Sequence, residues 1–528
     1  MEASRSETSL TALPETIGVI GAGTMGSGIA QLAAQTGART LLYDAIPEGL
    51  AKGMARIEAG LRRRVERDRI SAEDAEAILE RLEPSGALSG LARCGLVIEA
   101  APEQLELKLE LFGELARVVE PGCVLATNTS SLSVTEIAAG TPSPERVVGL
   151  HFFNPAPVMK LVEVVAWEGS SPDALALARA VGEAMGKTVI DAADVPGFLV
   201  NRCNRPYSLA SLRLLQERVA PVATIDRIAR MEGGFRMGPF ELMDLVGLDN
   251  NYAVAQSFQR QSFGEPRYQP SPLQARIVAS GRLGRKTGRG WYDYEGAAEV
   301  RGIGYRPGDP ELPAGGGGDG RVVLITGTLP LAEELTMAAR SAGFEVRRDD
   351  DEELRPWLAL VCDGGQSWNP PRARLLHAGS LHAGDPKAAG FHVLPPLAGA
   401  KLIEVTSTPH TDPIALERLG RFIAALGRYA EPVADAPGLV LGRIVAQLIN
   451  EAGFLIGEGN GSAGDVDAGL TLGLNHPRGP VAWSHAVGLT HVVGLLDALQ
   501  RELGEERYRV APLLRRLLSL GAPGLADG

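Results

Sequence analysis

A parallel-sheet α/β domain followed by an all-α domain, with the pair repeated in degenerate form in the C-terminal half, is the fold class this sequence predicts. Three observations predict it. From Ile17 to about residue 195, short apolar runs ending in polar clusters alternate with helical stretches. After Pro196 the pattern changes to long helical segments. Finally, one offset of 241 residues carries motifs of the first half onto the second.

Ile17-Gly18-Val19-Ile20 is short and apolar enough for a buried strand, and it runs directly into Gly21-Ala22-Gly23-Thr24-Met25-Gly26. Ser27 to Thr36 reads as a helix. Thr40-Leu41-Leu42-Tyr43 reads as the next strand and ends in Asp44. Strand, glycine loop, helix, strand and acid in this order are the context a dinucleotide fingerprint requires. Gly21 makes the tight turn, Gly23 lets the backbone approach a pyrophosphate, and Gly26 lets helix and strand pack closely. The helix N-terminus offers free N–H groups and a positive dipole end. Asp44 can accept hydrogen bonds from a ribose and would repel a 2′-phosphate, which predicts NAD rather than NADP. This is a Rossmann domain, expected over residues 1–195.

Residues 47–80 are charged and helical in pattern, with Arg62, Arg63, Arg64 and Arg67 close together. They suit either a solvated helical hairpin or a site for phosphates of a second ligand. Leu96 to Ala101 reads as a buried parallel strand. Glu103 and Lys108 follow at its C-terminal end, where α/β sheets place ligands, although surface charge is the plainer reading. Leu125-Ala126-Thr127 ends a further strand, and Asn128-Thr129-Ser130-Ser131 lies just past it. Val147 to Leu150 is the next strand and delivers His151, the only histidine in the first 376 residues. Imidazole titrates near neutral pH, so His151 is the natural proton-moving group. Glu163 follows on the alternating run Leu161, Val162, Val164, Val165. A base with a carboxylate to orient it is a recurrent catalytic pair. The two polar clusters, at successive strand ends, should meet in one crevice.

Helical segments are predicted at 197–217, 224–231, 239–262 and 272–281, giving a helical domain at 196–296. Pro307, Pro310, Pro313 and Gly315 to Gly318 mark 297–320 as a linker.

Bulk properties exclude other classes. The chain has 528 residues, 45% apolar and 22% charged, with net charge −12 and no basic block. Neither nucleic acid nor a membrane is an expected partner. No run of about 18 apolar residues occurs, and the first sixteen residues lack an apolar signal core. Cys94, Cys123, Cys203 and Cys362 have no metal or disulfide spacing. A cytoplasmic setting and no metal are therefore expected.

The segments GAGTMGSGIA (21–30), NTSSLSVTEIA (128–138), GLHFFNPAPVMKLVEVV (149–165), PGFLVNR (196–202), MGPFELMDLVGLD (237–249) and GRKTGRGWYDY (284–294) closely resemble the NAD-dependent L-3-hydroxyacyl-CoA dehydrogenases over roughly residues 14–296. The resemblance implies an oxidoreductase that uses NAD on an acyl-CoA substrate. His151 would be the base, oriented by Glu163, with Ser130 and Asn201 contacting the substrate. Asp44, Glu103, Lys108, Asn154 and Lys286 would touch NAD, and Asn128 and Ser130 are counted with them. A family serine and lysine that contact coenzyme A align with Gly60 and Arg67, so Arg67 is the coenzyme A residue to consider. The helical domain would cover the substrate and could form a homodimer. The start near residue 14 leaves no room for a preceding hydratase domain.

The 241-residue offset relates His151 to His392, Lys160–Val164 to Lys401–Val405, Pro196-Gly197 to Pro437-Gly438, Gly238-Pro239 to Gly479-Pro480 and Val246-Gly247-Leu248 to Val487-Gly488-Leu489. A vestigial Rossmann-like domain is expected at 321–436 and a second helical domain at 437–528. The copy has lost the glycine spacing (Thr326-Gly327-Thr328-Leu329-Pro330) and the Asn128–Ser131 motif, and Gly442 stands for Asn201. His392 and Glu404 remain as a pair without a phosphate cradle, so a structural copy is favoured over a second active site. Its helical end would stand in for a dimer partner. This whole arrangement resembles the family's 3-hydroxyadipyl-CoA branch of phenylacetate degradation, including Asn204-Arg205-Pro206-Tyr207. Arg205 is then a candidate partner for a distal carboxylate, or else an arginine paired with acids of its own domain. General short-chain or 3-hydroxybutyryl-CoA specificity and a non-enzymatic NAD-binding protein are the alternatives.

Overall fold

The computed structural model describes residues 12–294, 308–348, 355–362 and 371–527. The polar start (1–11) and the first part of the expected linker, with Pro307, lie outside the described residues. The chain divides into two compact units, Met1–Val200 and Asn201–Gly528.

The first unit runs β1 (Thr16–Ile20), α1 (Thr24–Gln35), β2 (Arg39–Tyr43), α2 (Pro47–Val65), α3 (Ala72–Glu80), β3 (Leu82–Ser85), β4 (Leu96–Glu99), α4 (Leu105–Val118), β5 (Val124–Thr127), α5 (Val134–Ala139), β6 (Val147–Phe152), β7 (Leu161–Ala166), α6 (Pro172–Ala184) and β8 (Thr188–Ala193). The sheet order is β3-β2-β1-β4-β5-β6-β7-β8. All neighbours are parallel except β6 and β7, which run antiparallel. Every residue of β4, β5 and β6 is buried. Helices cover both faces of such a sheet, so its central strands read as continuous apolar runs rather than alternating ones. The edge strands β3 and β8 are only partly buried. Their weak apolar signal is why the sequence does not announce them, and Pro84 is tolerated because β3 is an edge.

The sheet changes direction between β1 and β4, and in an open α/β sheet the ligand crevice lies at that switch point. Gly21 follows β1 with φ of +91°. A Cβ there would lie 2.5 Å from the Ala100 carbonyl oxygen, so the turn and the end of β4 close on each other. A Cβ on Gly26 would lie 1.7 Å from the Gly21 carbonyl oxygen. A Cβ on Gly23 would meet nothing within 4 Å, so the space above the loop is open.

The second unit begins with α7 (Val200–Gln216), α8 (Val222–Met231), α9 (Pro239–Val246), α10 (Leu248–Gln261) and α11 (Pro272–Ala279). The single helix expected at 239–262 is two. Gly247, at φ +99°, turns the chain between them in a conformation that other residues rarely adopt. A second sheet follows: β9 (Val322–Thr326), α12 (Pro330–Ser341), β10 (Glu345–Arg347), β11 (Leu358–Val361), β12 (Arg372–Leu375), β13 (Ala389–His392), β14 (Leu402–Thr406), α13 (Pro413–Ala425) and β15 (Tyr429–Pro432). Its order, β10-β9-β11-β12-β13-β14-β15, repeats the first sheet without a counterpart of β3, and β13–β14 is its antiparallel pair. Only residues 348–357 separate β10 from β11, whereas 44–95 separate β2 from β4. The helical hairpin is the part the copy has lost. The chain ends in α14 (Leu441–Gly457), α15 (Ala463–Leu474), α16 (Pro480–Val487), α17 (Leu489–Leu503) and α18 (Pro512–Ser519).

Backbone details carry the duplication. Gly197 and Phe198 have φ of +74° and +51°, and their counterparts Gly438 and Leu439 have +67° and +46°. Gly247 and Gly488 match in the same way, at +99° and +85°. Within the second unit the two helical regions exchange reciprocal ion pairs. Arg202 on α7 meets Glu458 at 2.7 Å, and Arg443 on α14 meets Glu217 at 2.8 Å. The 241-residue offset converts one pair into the other, which is the pattern of an isologous dimer interface built inside one chain. No helix among the described residues is long and apolar enough to cross a membrane.

Gly26→Ala should destabilise the first unit by about 1–3 kcal/mol through overpacking and weaken NAD binding. Urea unfolding and calorimetric NAD titration would check it; an unchanged affinity would show that the loop tolerates the Cβ.

Candidate active site

The antiparallel register sets His151 of β6 directly opposite Glu163 of β7. His151 Nδ1 lies 2.6 Å from Glu163 Oε2, with His151 6% exposed and Glu163 fully buried. The other carboxylate oxygen, Oε1, accepts the Leu199 and Val200 amides at 3.2 and 2.9 Å. A carboxylate that already accepts two N–H groups takes Nδ1–H as a third, so the imidazole carries its proton on Nδ1. Nε2 is then left as the basic nitrogen. Phe153 and Phe198 flank the ring, at 4.7 and 5.9 Å between centroids.

Ser130 is held by an acid one strand away. Glu103 Oε1 accepts Thr129 Oγ1 at 2.7 Å, Ser130 N at 2.9 Å, Ser131 N at 3.1 Å and Ser131 Oγ at 3.0 Å. Burial pushes the Glu103 carboxyl up. The nearby Lys108 ammonium and these hydrogen bonds outweigh that and hold it below its ordinary value near 4.5. Lys108 itself is 1% exposed, with its ammonium 2.6 Å from Glu99 and 3.5 Å from Glu103. Glu99 also accepts Thr127 Oγ1 at 2.7 Å. Asn128 Oδ1 accepts the Phe152 amide at 2.8 Å and so ties the Ser130 loop to the residue after His151.

At the glycine loop, Asp44 Oδ2 accepts the Ala22 amide at 2.7 Å and Oδ1 the Ile46 amide at 2.9 Å. A cleft of about 690 Å³ is lined by Gly21, Gly23, Thr24, Asp44, Ala100 and Ala101, among others. An open Gly23, a helix N-terminus and an acid at the end of β2 fit a dinucleotide: pyrophosphate at the loop, ribose at Asp44. Asn154 is exposed just past β6, and Arg67 is exposed beyond α2.

In the second unit Asn201 stands in the first turn of α7, next to Val200, and Arg205 follows one turn later on the same face. Arg205 is 7% exposed; burial lowers its guanidinium to about 10. Its Nε and Nη1 make no hydrogen bond, and no carboxylate among the described residues pairs with it. The guanidinium sits over the Phe258 ring at 5.2 Å. Lys286 pairs with Asp249 at 2.6 Å.

Three supporting residues escape sequence reasoning. Glu99 reads as the last residue of an apolar strand. Arg56, in the hairpin, donates to the Ala22 carbonyl at 3.0 Å and to Ser27 Oγ at 2.9 Å, which braces the glycine loop. Lys187 donates to the Ala156 and Met159 carbonyls at 2.7 Å each and anchors the segment after Asn154.

A dinucleotide cleft and a buried histidine–carboxylate pair on one doubly wound sheet define a nicotinamide-dependent dehydrogenase. The NAD-binding domain of 3-hydroxyacyl-CoA dehydrogenase matches residues 16–195, and the C-terminal domain of the same family matches twice, at 197–294 and 438–528. The chain belongs to the 3-hydroxyacyl-CoA dehydrogenase family. It is 38% identical to the 3-hydroxyadipyl-CoA dehydrogenase of Escherichia coli over 95% of this chain and 97% of that one. It is 40% identical to a probable 3-hydroxybutyryl-CoA dehydrogenase of Bacillus subtilis, over 52% of this chain and 96% of that one. The crystal structure of a 3-hydroxybutyryl-CoA dehydrogenase from Escherichia coli K12 superposes with a TM-score of 0.82 at 35% identity, covering 97% of this chain and all of that one. The protein is thus an NAD-using oxidoreductase of the 3-hydroxyacyl-CoA class.

Because the Glu103 carboxyl is lowered on folding, its stabilisation is complete above the unfolded-state value and is lost as pH falls through the folded one. The stability gap between wild type and Glu103→Gln should therefore shrink on acidification below about pH 4.5. Urea midpoints across that range would check it; a gap independent of pH would contradict this role.

Proposed function

We propose that the chain oxidises the 3-hydroxyl of L-3-hydroxyadipyl-CoA to the 3-oxo thioester, with His151 as the base and Glu163 orienting it. His151 Nε2, kept unprotonated by Nδ1–H donation to Glu163, takes the hydroxyl proton. Glu163 then stabilises the imidazolium without accepting that proton itself. NAD, when bound, supplies the acceptor for the hydride lost from C3. Ser130 and Asn201 hold the substrate oxygen as negative charge develops on it. Gly21, Gly23, Gly26 and Asp44 hold the dinucleotide, with Asn128, Asn154 and Lys286 as further contacts. Glu103 and Lys108 support that role by shaping the Ser130 loop. Arg67 is assigned to coenzyme A, and the setting is cytoplasmic. The reciprocal α7–α14 ion pairs favour an internal pseudo-dimer, which could pair again as a homodimer.

Arg205, buried and without a carboxylate partner among the described residues, supports the dicarboxylate reading. A buried guanidinium with no internal acid is costly on its own and well suited to receive a carboxylate in a bidentate geometry. It lies one turn from Asn201, along the face that would meet the acyl chain. General short-chain specificity is the second reading, favoured by the similarity to 3-hydroxybutyryl-CoA dehydrogenases.

His151→Gln and Glu163→Gln should each lower kcat by about 100- to 10,000-fold, read as NADH formation, with folding intact by circular dichroism. Retention of full turnover in either variant would remove the dyad from the reaction. Arg205→Met should lower kcat/KM for 3-hydroxyadipyl-CoA about 10- to 100-fold, as expected for one charged hydrogen-bonding partner, and leave 3-hydroxybutyryl-CoA nearly unchanged. Its thermal stability should hold or rise, since no ion pair among the described residues is lost. Equal losses on both substrates would favour the short-chain reading.

A further inference from the structure

The degenerate copy holds a cluster that the active half lacks. His392 and Glu404 face each other across β13 and β14, in the register of His151 and Glu163. Glu404 also keeps its counterpart's backbone contacts, accepting the Val440 and Leu441 amides at 2.7 and 2.8 Å. The imidazole, however, has left the acid. At position 442 glycine replaces the asparagine of the active half, and a Cβ there would lie 2.1 Å from His392 Cε1. The ring occupies the space that a side chain would need. Its Nε2 lies 3.1 Å from His491 Nε2, and its Nδ1 makes no hydrogen bond although the residue is fully buried.

A third group joins them. Glu232, at the end of α8, is 6% exposed; its Oε2 also makes no hydrogen bond. The 241-residue offset maps Glu232 to Gly473, so this acid belongs to the first helical region alone. One ligand atom from each of Glu232, His392 and Glu404 lies within 4.8 Å of the others, and all three residues are buried.

We propose that Glu232, His392 and Glu404 form a buried site for one divalent transition-metal cation, zinc foremost. Two carboxylates neutralise the 2+ charge, and a neutral imidazole completes a three-residue set that leaves a fourth position open. Metal–ligand distances near 2.0–2.2 Å require donor atoms about 3–3.5 Å apart, which small side-chain movements supply. The second contact of His392 suits this arrangement. With Nδ1 on the metal, Nε2–H donates to His491, as metal-bound histidines donate their other N–H to a neighbour. The cation would lock the C-terminal end of α8 onto the second sheet and would take no part in turnover.

The test uses the full chain, stripped with a chelator and then incubated with zinc chloride. Metal content after gel filtration and the thermal midpoint are measured for wild type, Glu232→Gln and Glu232→Gly, the glycine variant copying Gly473. The expected result is one zinc per wild-type chain and a clear rise in Tm, with both lost in the two variants. NADH formation with 3-hydroxybutyryl-CoA should be unchanged throughout. Substoichiometric zinc with no Tm change in the wild type would overturn the proposal and leave a proton shared between the two carboxyls. Equal zinc uptake by wild type and both variants would also overturn it, by placing the metal elsewhere.

Discussion

The Glu163 carboxylate is the interaction on which the active half depends. One oxygen holds the His151 tautomer, and the other holds the Leu199 and Val200 amides. The acid is fully buried, so it is expensive unless every lone pair is used. Three donors converge on it, and they come from β6 and from the chain entering α7. The orientation of His151 and the backbone at Leu199 and Val200 are therefore set by the same group. A β6–β7 pair in parallel register would not place residues 151 and 163 face to face. The one antiparallel pairing in an otherwise parallel sheet is what makes the dyad.

A second network, on the neighbouring strands, does similar work with charges. Glu99, Lys108 and Glu103 form a chain from the buried end of β4 to the loop that carries Ser130. A lone lysine or glutamate at these depths would shift toward its neutral form. Here they are paired with one another, and the outermost carboxylate gathers five donors of residues 129–131. Glu103 thus holds the loop through its backbone and hydroxyl groups.

Much of this was readable from the residues alone because the relevant spacings are local. The strand–glycine–helix–acid order lies within Ile17 to Asp44, and the glycine requirements follow from turn and contact geometry. His151 stands out by being alone, and Glu163 by lying on the next strand. The fold class is legible for the same reason, and the duplication because a fixed offset survives drift. Other features depend on tertiary neighbours. Lys108 reads as surface charge until Glu99 is seen beneath it. Arg56 gains meaning only when α2 packs on the loop. The break at Gly247 is hidden because the apolar residues on both sides continue a helical pattern.

The two halves also show what a duplicated enzyme keeps and what it lets go. The copy preserves sheet order, the left-handed turn before the helix, the buried glutamate and its two amide contacts. These hold the fold, and losing any one would leave buried polar groups unsatisfied. It has lost the glycine loop, the hairpin and the Asn201 side chain, none of which a core requires. Ion pairs at the α7–α14 interface stay reciprocal because each half needs the other to cover its helices. With glycine at 442, the His392 ring lies in the space a side chain would need, and the Glu404 carboxylate faces Glu232. Constraint followed burial: groups that would be costly to strand were kept and found new partners, whereas groups that served only a bound ligand were free to change.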